Sequence, residues 1–153
     1  MDADVLNPFI EAALYVLQTS ASLPAEIVKP YRKTDNAPAG DVTCMLSVTG
    51  DFNGTVVVSY TRECILGIVS NMFGEEMTEL NDEIKDAAGE VTNMIAGQVT
   101  TKLAESGKSL VAKSTGVFME EGHTVDHLEA LPVLAVPYKT EKGEFTMEFC
   151  FEQ

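Results

Sequence analysis

The sharpest alternation of apolar and polar positions runs through Val42, Cys44, Leu46 and Val48, which interleave with Thr43, Met45 and Ser47. A two-residue period of this kind marks a half-buried strand. The turn-forming run Gly50-Asp51-Phe52-Asn53-Gly54 follows and leads into Thr55-Val56-Val57-Val58-Ser59-Tyr60. Together they predict a hairpin, with Asn53-Gly54 supplying the positive φ of its turn. Lys142-Gly143 predicts another turn, into a strand over 144–151 with Phe145, Met147, Phe149 and Phe151 on one face. Leu110–Met119 and Leu131–Tyr138 read as strands flanking a polar loop, Glu120–Glu129. Leu23–Lys33, broken by Pro24 and Pro30, fits a short edge strand, and Asn36–Gly40 a loop.

Three segments carry the helical period instead. Over 6–19, Phe9, Ala13, Val16 and Leu17 recur at helical spacing, with Asn7 as a cap and Pro8 at the first helical position. Residues 61–73 form a second helix, opened by Thr61 and stopped by Gly74. A third and longer helix runs from about Glu79 to Ser106 and ends at Gly107. The expected architecture is α+β: an antiparallel sheet with helices packed on it, in one domain over 1–153.

Composition narrows the function. The 153 residues carry 24 Asp+Glu against 10 Lys+Arg, a net charge of −14. Neutralising phosphates needs Lys and Arg, so this balance argues against nucleic acid and against an anionic membrane surface. No apolar run approaches the roughly 18–20 residues of a membrane helix, so no membrane insertion is expected. Asp2 and Asp4 stand where a signal peptide would be positive, and a cytoplasmic protein is expected. Cys44, Cys64 and Cys150 are widely separated, form no CxxC pair and lie in apolar contexts, the pattern of buried thiols.

The long helix holds the candidate chemistry. Leu80, Ile84, Ala87, Ala88, Val91, Ile95 and Val99 make one apolar stripe. Nearly opposite, Asp86, Glu90, Asn93 and Gly97 fall in one row, spaced 4, 3 and 4 residues apart. Gly89 and Gly97 flank that row, and each costs about 1 kcal/mol of helix propensity relative to alanine. A glycine beside an exposed polar row leaves room for a close partner. A solvated face with two tolerated glycines is the other reading.

The run Asp86-Ala-Ala-Gly-Glu90-Val-Thr-Asn93 resembles the signature of the CheC/CheX/FliY family, phosphatases acting on phosphorylated CheY receivers. That signature is Asp or Ser, three residues, Glu, two residues, Asn. Asn7-Pro8-Phe9-Ile10 and Val48-Thr49-Gly50-Asp51-Phe52-Asn53-Gly54 are similar to the CheX branch. The resemblance implies that Asn93 positions a water in line with the phosphorus and that Glu90 pairs with a receiver lysine. It implies partner contact at Asp86 and Gly97. It also implies Mg²⁺ on the receiver, no metal or cofactor of this chain's own, and a homodimer with extended sheet pairing. A non-catalytic binding module, like the middle domain of the flagellar switch protein FliM, is the alternative. The family pattern continues to a proline 23 positions after the Asn, where this chain has Gly116. In the first helix Asn7, Glu11 and Leu14 repeat the spacing with Leu14 in place of the amide, which implies one site per chain.

Other signals carry less. Gly107-Lys108-Ser109 resembles a P-loop tail, but Lys102 replaces the loop's first glycine and the element order is reversed. His123 and His127 would need a third ligand to hold zinc. There is no G-x-S-x-G elbow.

Overall fold

A computed structural model describes residues 3–127 and 132–152. Its elements are α1 (Ala3–Ala21), β1 (Ala25–Ile27), β2 (Tyr31–Lys33), β3 (Val42–Gly50), β4 (Gly54–Tyr60), α2 (Arg62–Phe73), α3 (Asp82–Glu105), β5 (Leu110–Phe118), β6 (Val133–Thr140) and β7 (Gly143–Phe151). The strands form one antiparallel sheet in the order β1-β6-β7-β4-β3-β5, with β2 also paired to β6. The α+β expectation holds. Residues 128–131, which include parts of the expected 120–129 loop and 131–138 strand, lie outside the described residues, as does Asp2.

The three helices share one face of the sheet. Val42, Cys44, Leu46 and Val48 of β3, Val56, Val58 and Tyr60 of β4, and Phe145, Met147, Phe149 and Phe151 of β7 join one core with Phe9 and Leu17 of α1 and the apolar stripe of α3. Tyr138 stacks on Phe145 with ring centroids 4.4 Å apart. Burying such apolar surface is the main favourable contribution to the fold, at about 25 cal/mol per Å².

Local chemistry accounts for the helix ends. Thr61 caps α2 by accepting from the Cys64 amide, and Gly74 closes it in the left-handed conformation, φ 71°. Asn81 caps α3 by accepting from the Ile84 amide at 3.0 Å, so α3 starts three residues later than expected and Leu80 sits just outside it. The first helix departs the other way. It begins by Ala3, and Asn7 and Pro8 lie within it rather than at its start. Val5 and Leu6 are buried on the Phe9 face, and that burial carries the helix upstream at the loss of one hydrogen bond at Pro8.

The β3–β4 hairpin forms, but its positive φ falls at Gly50 (114°), not at Asn53-Gly54. Gly54 already pairs with Phe151 of β7, and a Cβ there would come within 2.1 Å of the Cys150 carbonyl oxygen. Its smallness serves close approach of two strands.

The far face of the sheet is buried too, in a different way. Thr43, Ser59, Thr146 and the fully buried Glu148 point there. Segments 34–41 and 119–127 cover it, tied together by Val125 N–H donating to the Asn36 carbonyl. Glu148 pairs with Lys33 at 2.7 Å and with His127 Nε2 at 3.0 Å. His127 Nδ1 meets the Thr55 hydroxyl at 2.6 Å. His123 Nε2 meets the Thr43 hydroxyl at 2.8 Å, and Thr43 in turn meets Ser59. Both histidines thus fasten a loop to the sheet. Among the described residues no buried side-chain nitrogen or oxygen lacks a partner.

Candidate functional site on helix α3

The buried stripe of α3 sets how the helix is rotated on the sheet, and the buried Thr92 adds a polar contact to it. Thr92 is buried; its hydroxyl donates to the Ala88 carbonyl at 2.9 Å and lies 3.1 Å from the Tyr60 hydroxyl of β4. Lys102 reaches Glu11 of α1 at 3.1 Å near the other end. Ile84, Ala88, Val91, Ile95 and Val99 all face the core as expected.

With that rotation set, Asp86, Glu90, Asn93 and Gly97 are all exposed, one above another. A rise of about 1.5 Å per residue separates Glu90 from Asn93 by about 4.5 Å along the axis, and Asn93 from Gly97 by about 6 Å. The side chains of Asp86, Glu90 and Asn93 have no hydrogen-bond or ion-pair partner among the described residues. Acidic residues crowd the same end: Glu75, Glu76, Glu79, Asp82 and Glu83 are also exposed. The connection before α3 is held by Arg62, which donates to the Thr78 carbonyl, and by Ser70, which accepts from the Met77 amide.

Chemically this face offers one amide, able to donate and accept at once, and two carboxylates. An amide on a rigid helix can orient a water, and a carboxylate can take up a lysine of another protein. Among the described residues the row of Asp86, Glu90, Asn93 and Gly97 carries no cation to bind a phosphoryl group by itself.

Other candidates have structural places. Gly107, φ 76°, ends α3, and Lys108 pairs with Asp4 at 3.3 Å beside the Phe52 ring, so the P-loop-like tail is a helix terminus. Leu14 packs against the core while Glu11 is engaged with Lys102. The three cysteines are buried; desolvation pushes the Cys44 thiol up to about 11 and the Cys64 thiol up to about 12. Gly116 lies at a β-bulge: Met45 pairs with Gly116 and Leu46 with Ser114, leaving Thr115 as the extra residue. A Cβ on Gly116 would meet Phe118 Cζ at 2.6 Å, so the glycine admits the close approach of that ring.

A family model described as chemotaxis phosphatase CheX matches residues 42–139, from the start of β3 through α3 to the end of β6. The chain belongs to the CheX family. It is 28% identical over 109 residues to the CheY-P phosphatase CheX of Thermotoga maritima, covering 71% of this chain and 70% of that one. The structure is similar to a chemotaxis protein CheX from Desulfovibrio desulfuricans, with TM-score 0.85 and 39% identity over 97% of this chain and 99% of that one. Two distant likenesses bear on the fold alone. One is CheX in a CheX–CheY–BeF3–Mg²⁺ complex from Borrelia burgdorferi, with TM-score 0.77 and 21% identity over 99% and 100% of the two chains. The other is the FliM middle domain of H. pylori, with TM-score 0.67 and 8% identity over 99% and 93%.

The sequence alone did not reveal the polar contact of Thr92 with Tyr60 beneath the site helix. A hydroxyl inside an apolar stripe, at Thr92, was the available signal. The Lys33–Glu148–His127 cluster was equally hidden.

Proposed function

We propose that this CheX-family protein hydrolyses the aspartyl phosphate of a CheY-like response regulator, using the exposed face of α3. The observation that carries the reading is the pair Glu90 and Asn93, adjacent, solvent-facing and unengaged on a helix whose rotation is fixed from beneath. In the proposed complex Asn93 holds the attacking water in line with the phosphorus. Glu90 pairs with the receiver's lysine and sets the angle of approach. Asp86 sits one turn before Glu90 and contacts the receiver's rim. Little covalent work is asked of the chain, because phosphoryl transfer to water is governed by positioning and charge stabilisation.

The charge comes from the receiver. The distant Borrelia relative forms its complex with CheY, BeF3 and Mg²⁺, where BeF3 stands for the phosphoryl group. In the proposed complex Mg²⁺ and a lysine belong to the receiver, and they offset the acidic approach of α3. Such a substrate places the chain in the cytoplasm. No described helix is long and apolar enough to cross a membrane. A homodimer through sheet pairing is part of the proposal: among the described strands β5, nine residues long, lies at the edge of the sheet.

The test is decay of phosphate from phosphorylated receivers with wild type and with Asn93→Ala. Loss of the acceleration by about 10²-fold or more, with receiver affinity kept, is the expected result. Unchanged decay despite binding would leave a non-catalytic module of the kind whose fold the FliM middle domain shares.

A further inference from the structure

The two glycines of α3 have different explanations, and the difference identifies a docking contact. A Cβ on Gly89 would meet Val117 Cγ2 of β5 at 3.3 Å, so close packing of helix on strand accounts for that glycine. A Cβ on Gly97 would meet nothing within 4 Å. Gly97 is exposed, lies in mid-helix and is absent from the positive-φ residues, so neither packing nor backbone conformation asks for glycine. A glycine there still weakens the helix relative to alanine. Its position is one turn beyond Asn93 in the same row.

We infer that Gly97 is a specificity-determining contact for the phosphorylated receiver: its bare backbone seats a main-chain segment of the receiver next to the phosphoryl aspartate. The inference rests on the proposed phosphatase reading and adds a steric condition to it. Small residues let two backbones approach to distances that a Cβ prevents. If Asn93 holds a water against the phosphorus, the receiver surface about 6 Å further along α3 lies over Gly97. A side chain at 97 lifts the receiver away from that point and leaves the chemistry of a complex once formed unaltered. Thr101, one turn further along, donates its hydroxyl to the Gly97 carbonyl at 3.1 Å, and the space where a Cβ on Gly97 would sit is open.

Stability and function should move in opposite directions. Gly97→Ala raises the midpoint of thermal unfolding by about 3 °C, through helix propensity alone. Yet it raises KM for phosphorylated receiver by at least about tenfold, with kcat within about twofold. Gly97→Leu raises KM further. Gln98→Ala, an exposed neighbour off the row, leaves both parameters unchanged. The measurements are phosphate release against concentration of a phosphorylated CheY-type receiver, affinity for the receiver loaded with Mg²⁺ and beryllofluoride, and light scattering for oligomeric state. Gly97→Ala carries the test if Gly97→Leu unfolds. An unchanged KM in a folded Gly97→Ala overturns the inference, as does a fall in kcat at constant KM. A change of oligomeric state with KM intact overturns it too, because the notch then serves a second copy of this chain. Failure of the phosphatase reading is seen separately, as wild type that accelerates decay on no receiver; that result removes this inference with it.

Discussion

Replacing Glu148 with alanine removes the carboxylate at the centre of the sheet's far face. That carboxylate is fully buried, 2.7 Å from Lys33 Nζ and 3.0 Å from His127 Nε2, and the Lys33 side chain is only 6% exposed. Truncation leaves the ammonium out of water without its counter-charge, with only the Ala37 carbonyl accepting from it. Breaking a buried pair from one side costs about 3–5 kcal/mol, and the lost histidine bond adds about 1 kcal/mol. A domain has about 5–15 kcal/mol in all, so Glu148→Ala should lower the unfolding midpoint by about 10 °C or more. Removing both charges, as Lys33→Met with Glu148→Met, should recover most of that loss, because a buried pair often does no better than an apolar replacement. Urea unfolding followed by circular dichroism, on wild type, Lys33→Met, Glu148→Met and their double, isolates the coupling, with Glu148→Ala measured beside them. Phosphatase activity of folded Glu148→Ala should persist at low temperature, since α3 packs on the opposite face. A loss under about 1 kcal/mol would refute the reasoning, because it would mean that Lys33 turns to solvent without cost.

Two other outcomes follow from the site and the core. Glu90→Ala should raise KM for phosphorylated receiver by about 10–100-fold and flatten its salt dependence, with little change in kcat; a fall in kcat alone would move Glu90 from anchoring into chemistry. In the native protein Cys44, Cys64 and Cys150 should resist a disulfide reagent at pH 8 and all react after unfolding, because burial pushes Cys44 up to about 11 and Cys64 up to about 12. Rapid reaction of any one thiol in the folded state would show an opening of the core.

Elements governed by local chemistry could be read from the chain, and those governed by distant pairing could not. Thr61 and Gly74 bound α2 as expected, because caps act within a turn of the residues they satisfy. The β3 alternation predicted the buried face because side-chain direction reverses at every residue. Residues 144–151 show the limit of that rule. Their phenylalanines face the helices as expected, but Thr146, Glu148 and Cys150 on the other side are buried as well. A glutamate between Met147 and Phe149 reads as solvent-facing. Its partner Lys33 is 115 residues away in the chain, and no local period encodes such a contact. On α3 the period placed Asp86, Glu90, Asn93 and Gly97 on one exposed face. Their chemical roles came from resemblance, since an amide beside a carboxylate is chemically ambiguous until a partner supplies the phosphate.

That incompleteness has a measurable consequence. Acetyl phosphate contains the same acyl phosphate bond as a phosphorylated aspartate, so a protein holding a whole active site for this chemistry would cleave it. The α3 face offers the Asn93 amide for the water under the proposed reading, and among the described residues no cation stands in its row. Its nearest charges, Asp86 and Glu90, are carboxylates. Each would repel a phosphoryl dianion, by about 1 kcal/mol per unit charge at contact in water and more where water is excluded. Stabilising the charge that develops on the phosphoryl oxygens is usually the largest catalytic contribution, and in the proposed complex the receiver's Mg²⁺ and lysine supply it. The chain should therefore leave acetyl phosphate decay in Mg²⁺ buffer within about twofold of the blank while accelerating loss of phosphate from the receiver. Acceleration on acetyl phosphate that disappears in Asn93→Ala would overturn this division of labour, because the helix face would then be a complete catalyst and the receiver only its substrate.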